Sequence, residues 1–352
     1  MAAKVIRVSD DDGSTWYTLP GSTGEFANEA ESISDTTFGQ TFESSEIGLL
    51  GWMVSANAYF KGYAGYLAKI LQPGTPTATT GEACTLVSGK TYQINDTAKR
   101  IWDRSATIVV YDNAVDHSAD VQDIDYLFGK VTFDSSYTVT GAVTVDVTYL
   151  PMTQLGKGQS YNLTMSANPI DNTDFATAQA NGGYKTFEPG LRTVALELSG
   201  IFDATVNSKA DLAARNELIV EIDPAGDQSS LARGFFKIVD TGQSGDVGAL
   251  EEETLSLELT VPEDPDFTVA AVFGWQHSGS TLLSQAIQIL LTAWLDESLI
   301  DVQYLPQGAV GQTPLDGAEG DCMVADVSLS GGLNDMNTFN VELQGIGAYT
   351  EV

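Results

Sequence analysis

Apolar and polar residues alternate along most of this chain. Over 254–261, Leu255, Leu257, Leu259 and Val261 alternate with Ser256, Glu258 and Thr260. That is the period of an antiparallel strand with one face buried and one wet. Val194, Leu196 and Leu198 do the same within 193–202. Between these two strands the pattern predicts a short helix, opened by Ser208 and Asp211 at capping-box spacing and carried by 212–215. Strands over 218–222 and 233–239 follow, then a loop over 241–248. From 267 the same order returns: a strand at 267–273, a helix at 280–297, and strands at 299–304, 322–329 and 339–343, with 331–335 in place of the loop. One order of elements written twice marks a duplication. A second echo reaches further back. A Thr-x-Phe approach, a Gly-Leu entry and an aromatic-ended strand occur both at 33–60 and at 170–202, with Gly48 to Gly190 the same spacing as Phe60 to Phe202.

The remaining segments predict a hairpin over 1–20, a short helix around 63–71, and a Pro/Gly/Thr-rich connection over 72–92 that serves as a boundary or arm. Strands are expected at 108–111, 126–133 and 142–149, and a last one over 345–352. The resulting division is 1–71 for the hairpin and the start of a first copy, and 72–157 for a linker plus a β module. Residues 158–262 are a central copy and 263–352 a C-terminal copy or half-copy. The 72–157 block is either the closing strands of the first copy or an insertion.

Composition sharpens this. The 352 residues suffice for two or three cores, and 43% hydrophobic content excludes an unfolded chain. Sixteen basic against 48 acidic residues leave a net charge of −32. Such a field repels phosphate and anionic lipid, which argues against a conventional DNA- or membrane-binding role. The opening residues lack the form of a signal peptide, and the apolar window 282–295 is too short for a membrane span and carries Ser284, Gln285, Gln288 and Thr292. A soluble, intracellular protein without membrane insertion is expected. Cys84 and Cys322 cannot form a disulfide framework, and whether they meet is open.

Candidate chemistry is sparse. His117 and His277 stand far apart without acidic or serine motifs around them, and no nucleophile elbow, HExxH, CxxC or GxGxxG occurs. The run 156–160 lacks the first glycine that a phosphate loop needs ahead of it. No catalytic, cofactor or metal site is expected; the acidic runs 10–12 and 251–253 fit solvated faces. Ser9 to Trp16 matches the Asp-box S-x-D-x-G-x-T-W, in which Asp11 accepts turn amides, Gly13 takes positive φ and Trp16 packs under the hairpin. As a single copy it predicts a structural hairpin.

The run Phe187 to Gly200, with the helix, paired strands, Gly-rich loop and alternating strand that follow, resembles the major tail tube protein of long-tailed, siphovirus-type bacteriophages. The run Cys322 to Gly345 resembles the closing hairpin of that family, and Asp35 to Gly39 the segment ahead of its first sheet strand. The likeness covers roughly 26–71 and 158–352. It implies a mainly β, duplicated tail-tube fold: antiparallel sandwich or barrel units, each with a flanking helix. It also implies a non-enzymatic virion protein that assembles in the host cytoplasm into stacked rings of the tail. DNA would pass through an acidic lumen at ejection without being held, and other tail proteins would meet the tube ends. With two copies per chain the ring holds three chains; with one copy and decorating modules it holds six. The loop residues Gly242, Ser244, Asp246, Glu251, Glu252 and Glu253 are the inter-ring candidates. The alternatives are a carbohydrate- or cell-surface-binding β protein, suggested by the Asp-box and Trp16, Trp52 and Trp102, and a capsid decoration protein.

Overall fold

In the computed structural model, described over residues 4–35, 45–60, 68–201, 208–224, 230–244, 252–260, 272–277, 283–311, 317–332 and 337–352, the chain is mainly β. The elements in order begin with β1 (Val5–Ser9), β2 (Tyr17–Thr18), β3 (Gly21–Ser34), β4 (Ser45–Phe60) and β5 (Ala68–Pro73). A run of shorter strands follows: β6 (Thr77–Ser88), β7 (Thr91–Ile94), β8 (Val109–Asp112), β9 (Val115–Asp116), β10 (Val121–Asp125), β11 (Lys130–Phe133) and β12 (Val143–Tyr149). Then come β13 (Met152–Ser166), β14 (Ile170–Asp171), α1 (Phe175–Ala180), β15 (Phe187–Glu188), β16 (Thr193–Ile201), α2 (Ser208–Ala214), β17 (Glu217–Ile222), β18 (Ser230–Ser244) and β19 (Glu252–Leu259). The chain closes with β20 (Phe273–His277), α3 (Gln285–Asp296), β21 (Ile300–Leu305), β22 (Ala318–Gly332), β23 (Asn337–Gly345) and β24 (Thr350–Glu351).

Two compact units divide the chain, one of 1–62, 162–194 and 280–352, the other of 63–161 and 195–279. In the second unit β16, β19, β18 and β17 pair in that order, and β20 pairs with the start of β18. β5 then joins β17, β13 joins β5, and β13 returns to β16, so six strands close on themselves. In the first unit β4, β23, β22 and β21 pair in the same order, and β24 pairs with the start of β22. Here β1 joins β21 and β3 joins β4.

The correspondence extends to details that composition does not produce. β18 and β22 are each 15 residues long, and each shifts register against its hairpin partner, at Ile238/Asp240 and Val324/Asp326. α2 and α3 both stop at a non-glycine residue of positive φ, Arg215 at 56° and Glu297 at 57°. The next amide then reaches back five residues, Asn216 N to Asp211 O at 3.0 Å and Ser298 N to Ala293 O at 3.1 Å. That is the Schellman closure.

The duplication is therefore nested. The strand matching β16 is β4, the relation carried by the Gly48/Gly190 and Phe60/Phe202 spacing. The order breaks off after Phe60 and resumes at α3. The strand expected at 267–273 does not open the second copy. Phe273 belongs to β20, which closes the first by pairing with β18, and 267–271 lie outside the described residues.

Burial follows the alternation. Val54, Ala56, Ala58 and Phe60 of β4, Phe339, Val341 and Leu343 of β23, and Val194, Leu196 and Leu198 of β16 all point into their units. Buried α3 residues include Ile287, Leu290, Leu291 and Trp294. Its N-terminus is capped by Ser284, and its last carbonyls, Trp294 O and Leu295 O, accept from Arg192 at 2.8 and 2.7 Å, a cation at the negative end of the helix. Where β23 ends, the ring of Trp52 lies flat against Gly345 while its Nε1 donates to Gly347 O at 2.8 Å. A Cβ on residue 345 would stand 2.1 Å from that ring. Gly345→Ala is thus expected to cost about 3 kcal/mol through overpacking, read as a lower melting temperature with a shifted tryptophan emission.

Residues 77–149 form a sheet of their own, β10-β11-β7-β6-β12-β8-β9, around Ile94, Trp102, Val110, Val131, Phe133, Val143, Val145 and Val147. Several expectations fail here and nearby. The connection over 72–92 is mostly strand: β6 pairs with β12 and β7, and its Gly81, at φ 67°, donates to Asp146 Oδ1 across a bulge. Thr suits such a strand, whatever its neighbours suggest. The helix expected at 63–71 is, from Ala68 on, strand β5, because β13 and β17 flank it; 61–67 lie outside the described residues. The strand over 126–133 starts only at Lys130, after a turn ending at Gly129 with φ 63°. Of the strand expected over 345–352, Gly345 instead ends β23 and only β24 forms a strand beyond it. β3, β13 and α1 carried no expectation.

Candidate assembly surface

Each unit buries one face of its sheet and leaves rows of polar side chains on the other. On the first unit, register places Glu25, Ser55, Glu342 and Asp326 in one row across β3, β4, β23 and β22. The next row is Thr23, Asn57, Asn340 and Ser328, with Asn340 Nδ2 donating to Ser328 Oγ at 3.0 Å. A third places Tyr59 beside Thr338 and Ser330, whose hydroxyls are 2.5 Å apart. These rows hold no lysine or arginine. On the second unit the rows are Ala195, Glu258, Lys237 and Glu217, then Glu197, Ser256 and Asp240. A single lysine stands among four carboxylates. Carboxylates facing each other across a ladder, such as Glu342 and Asp326, cost stability in an isolated sheet and project a negative potential from it.

The inter-ring candidates separate into two groups. Gly242 and Ser244 are not loop residues but extend β18, and Glu252 and Glu253 begin β19, because Gly242 pairs with Thr254, Gln243 with Glu253 and Ser244 with Glu252. Asp246 and Glu251 lie outside the described residues. In the hairpin, Asp11 Oδ1 accepts from Ser9 Oγ and Thr15 N at 2.7 Å each, Gly13 has φ 71°, and the half-buried Trp16 ring lies over Gly13. Those hydrogen bonds hold the Asp11 carboxyl below its usual pKa, the one from Ser9 most of all.

His117 Nδ1 lies 2.9 Å from Asp120, and His277 Nδ1 3.0 Å from Ser230 Oγ. Burial, with Lys130 nearby, pushes His277 down to about 4, so its ring is neutral at pH 7. Asp301 is pushed up to about 6, first by burial and then by Asp321 directly across the ladder. Among the described residues no three His, Cys, Asp or Glu side chains are placed to hold a metal ion. Both thiols are free, Cys84 in β6 and Cys322 buried in β22.

The site residues missed from sequence are charges inside apolar strands. Glu221 in β17 accepts from Arg233 in β18 at 2.7 and 3.0 Å and from Lys69 in β5 at 2.8 Å. A lone Glu within Leu218 to Ile222 and a lone Arg before Phe235 and Phe236 were the available signal, since buried charges come paired.

No family model matches the chain. No curated protein matches it either. Among solved structures, it is similar to the tail of an empty gene transfer agent particle refined with C6 helical symmetry. That match has 14% identity over 32% of this chain and 84% of that one, with a TM-score of 0.27. The virion of a native gene transfer agent particle is similar at 11% identity over 36% and 88%, with a TM-score of 0.28. Likeness at this level leaves function to be argued from the chain's own strands.

Proposed function

We propose that this chain is a structural virion protein, the self-assembling subunit of a bacteriophage tail tube. The observation that carries the reading is the repeated strand order of the two units, each with a polar sheet face left uncovered among the described residues of its unit. Two copies of one strand order in one chain suit a ring, in which three chains present six like sheets; a ring of six chains is the competing closure. The carboxylate rows weaken a lone subunit, yet on a tube wall they repel phosphate, so DNA slides past as cargo that is never held. Other tail proteins would meet the tube ends, and assembly would take place in the host cytoplasm.

Negative-stain microscopy of the purified chain, with mass measurement of any ring, tests this. Rings or tubes with a stain-filled centre are expected, and a strictly monomeric, lumenless protein under all conditions would sink it. Residues 245–251 join the paired Ser244 and Glu252, which makes them the stacking candidates. Replacing them with a two-residue turn is expected to leave the melting temperature of the subunit within about 2 °C while abolishing tubes longer than one ring. Tubes of normal length would remove that role.

A further inference from the structure

A group of cations in the second unit outnumbers the anions that meet it among the described residues. Arg233 and Lys130 both approach the ring of Phe128, with Arg233 Cζ and Lys130 Nζ each 5.1 Å from its centroid. The neighbouring Gly129 packs so tightly on Arg100 that a Cβ there would sit 2.9 Å from Arg100 Cα. Arg233 and Lys69 share one carboxylate, Glu221. Among the described residues Lys130 pairs with Asp125 alone, at 3.8 Å, and burial pushes that carboxyl up to about 6. The Arg100 side chain has no hydrogen-bond or ion-pair partner among the described residues, and its Nε is fully enclosed. Burial, and then the charge of Arg233, lower its pKa, which is the signature of a guanidinium held beside another cation. Four cations thus face two carboxylates, in a chain with 48 acidic residues and 16 basic ones.

The geometry points to an anion site built by Arg100, Lys130 and Arg233, and its occupant as a carboxylate side chain from a second copy of this chain. The two terminal guanidinium nitrogens of Arg100 are not enclosed as its Nε is, have no partner among the described residues, and suit a bidentate oxyanion. Between the two common sources, a net charge of −32 disfavours a phosphate polymer, whereas one acidic side chain brings a single charge that three cations can desolvate. The inference rests on the self-assembly proposed above and places a specific contact within it.

The test compares the full chain with Arg100→Gln and Arg100→Lys by sedimentation velocity over a range of concentrations. Arg100→Gln is expected to raise the concentration needed for assembly about tenfold and Arg100→Lys by less, since the lysine keeps the charge but loses the fork. Neither is expected to lower the melting temperature of the dispersed subunit. Sodium glutarate, as a free dicarboxylate, should dissolve wild-type assemblies more effectively than sodium chloride at equal ionic strength. Equal assembly of wild type and Arg100→Gln overturns the site and leaves the tube reading intact, as does equal action of the two salts. A wild type that never associates overturns both. Binding of a single-stranded oligonucleotide by wild type, lost in Arg100→Gln, assigns the site to phosphate instead and overturns the carboxylate.

Discussion

Leu257→Asp is expected to unfold the second unit. Leu257 is 1% exposed, and in the ladder it stands between Leu196 of β16 and Ile238 of β18, at the middle of the closed strand set. The substitution removes about 2 kcal/mol of apolar burial and places an unpaired carboxylate where no donor stands. A total loss of about 5 kcal/mol or more equals the whole stability of many domains. Circular dichroism should show loss of the cooperative transition, and the protein should partition to the insoluble fraction. The adjacent Glu258→Gln, on the exposed face, should stay within about 0.5 kcal/mol of wild type. A soluble Leu257→Asp protein with a wild-type melt would mean that the β19 register is wrong.

Asp112→Ala is expected to have the next largest effect. This carboxylate is 1% exposed and accepts from Thr140 N at 2.6 Å, Gly141 N at 2.7 Å, and Thr140 Oγ1 and Tyr137 Oη at 2.9 Å each. It organises the 137–141 turn ahead of β12. Truncation leaves two backbone donors and a tyrosine unsatisfied, for a loss of about 3 kcal/mol in chemical unfolding. The pH dependence separates it from two half-buried carboxyls. Burial acts to raise the Asp112 pKa, but the four hydrogen bonds outweigh it and the net shift is downward. Its stabilisation is therefore present above the unfolded value of about 3.9 and is lost as pH falls through the folded one. Asp125 and Asp301, each pushed up to about 6, act the opposite way. The folded chain binds their protons more tightly than the unfolded chain does, so stability rises as pH is lowered from 7 towards 4. Melting temperatures across pH should thus climb, peak and then fall. Asp112→Ala should flatten the acid limb alone, and an unchanged acid limb would remove Asp112 from the account.

How far the chain was legible differs from segment to segment. Strands β16, β19 and β23 and helix α3 were visible because their burial alternates at the period of their own backbone, and β21 as a short apolar run buried on both faces. The Asp11 turn was visible because its hydrogen bonds span no more than four residues. β6 was hidden in a run of Thr, Gly and Pro because what makes it a strand is β12, more than fifty residues on. The 63–71 helix was misplaced at Ala68 to Leu71 for the same reason, its pairing partners being distant. The cluster of Arg100, Lys130 and Arg233 was not legible at all, since its members lie in three separate segments.

The amino-acid sequence by itself determined which stretches become strands, which faces they bury, and that one order of elements is used twice. Those are local properties, set by side-chain period and turn chemistry. Only the tertiary structure decided that β4 pairs with β23 across nearly the whole chain, so that in chain order one copy interrupts the other. The entropy of closing a loop grows only with the logarithm of its length, so a folded unit built from 63–161 and 195–279 can interrupt the first unit at small cost. Nothing in the residues on either side of the insertion has to record it.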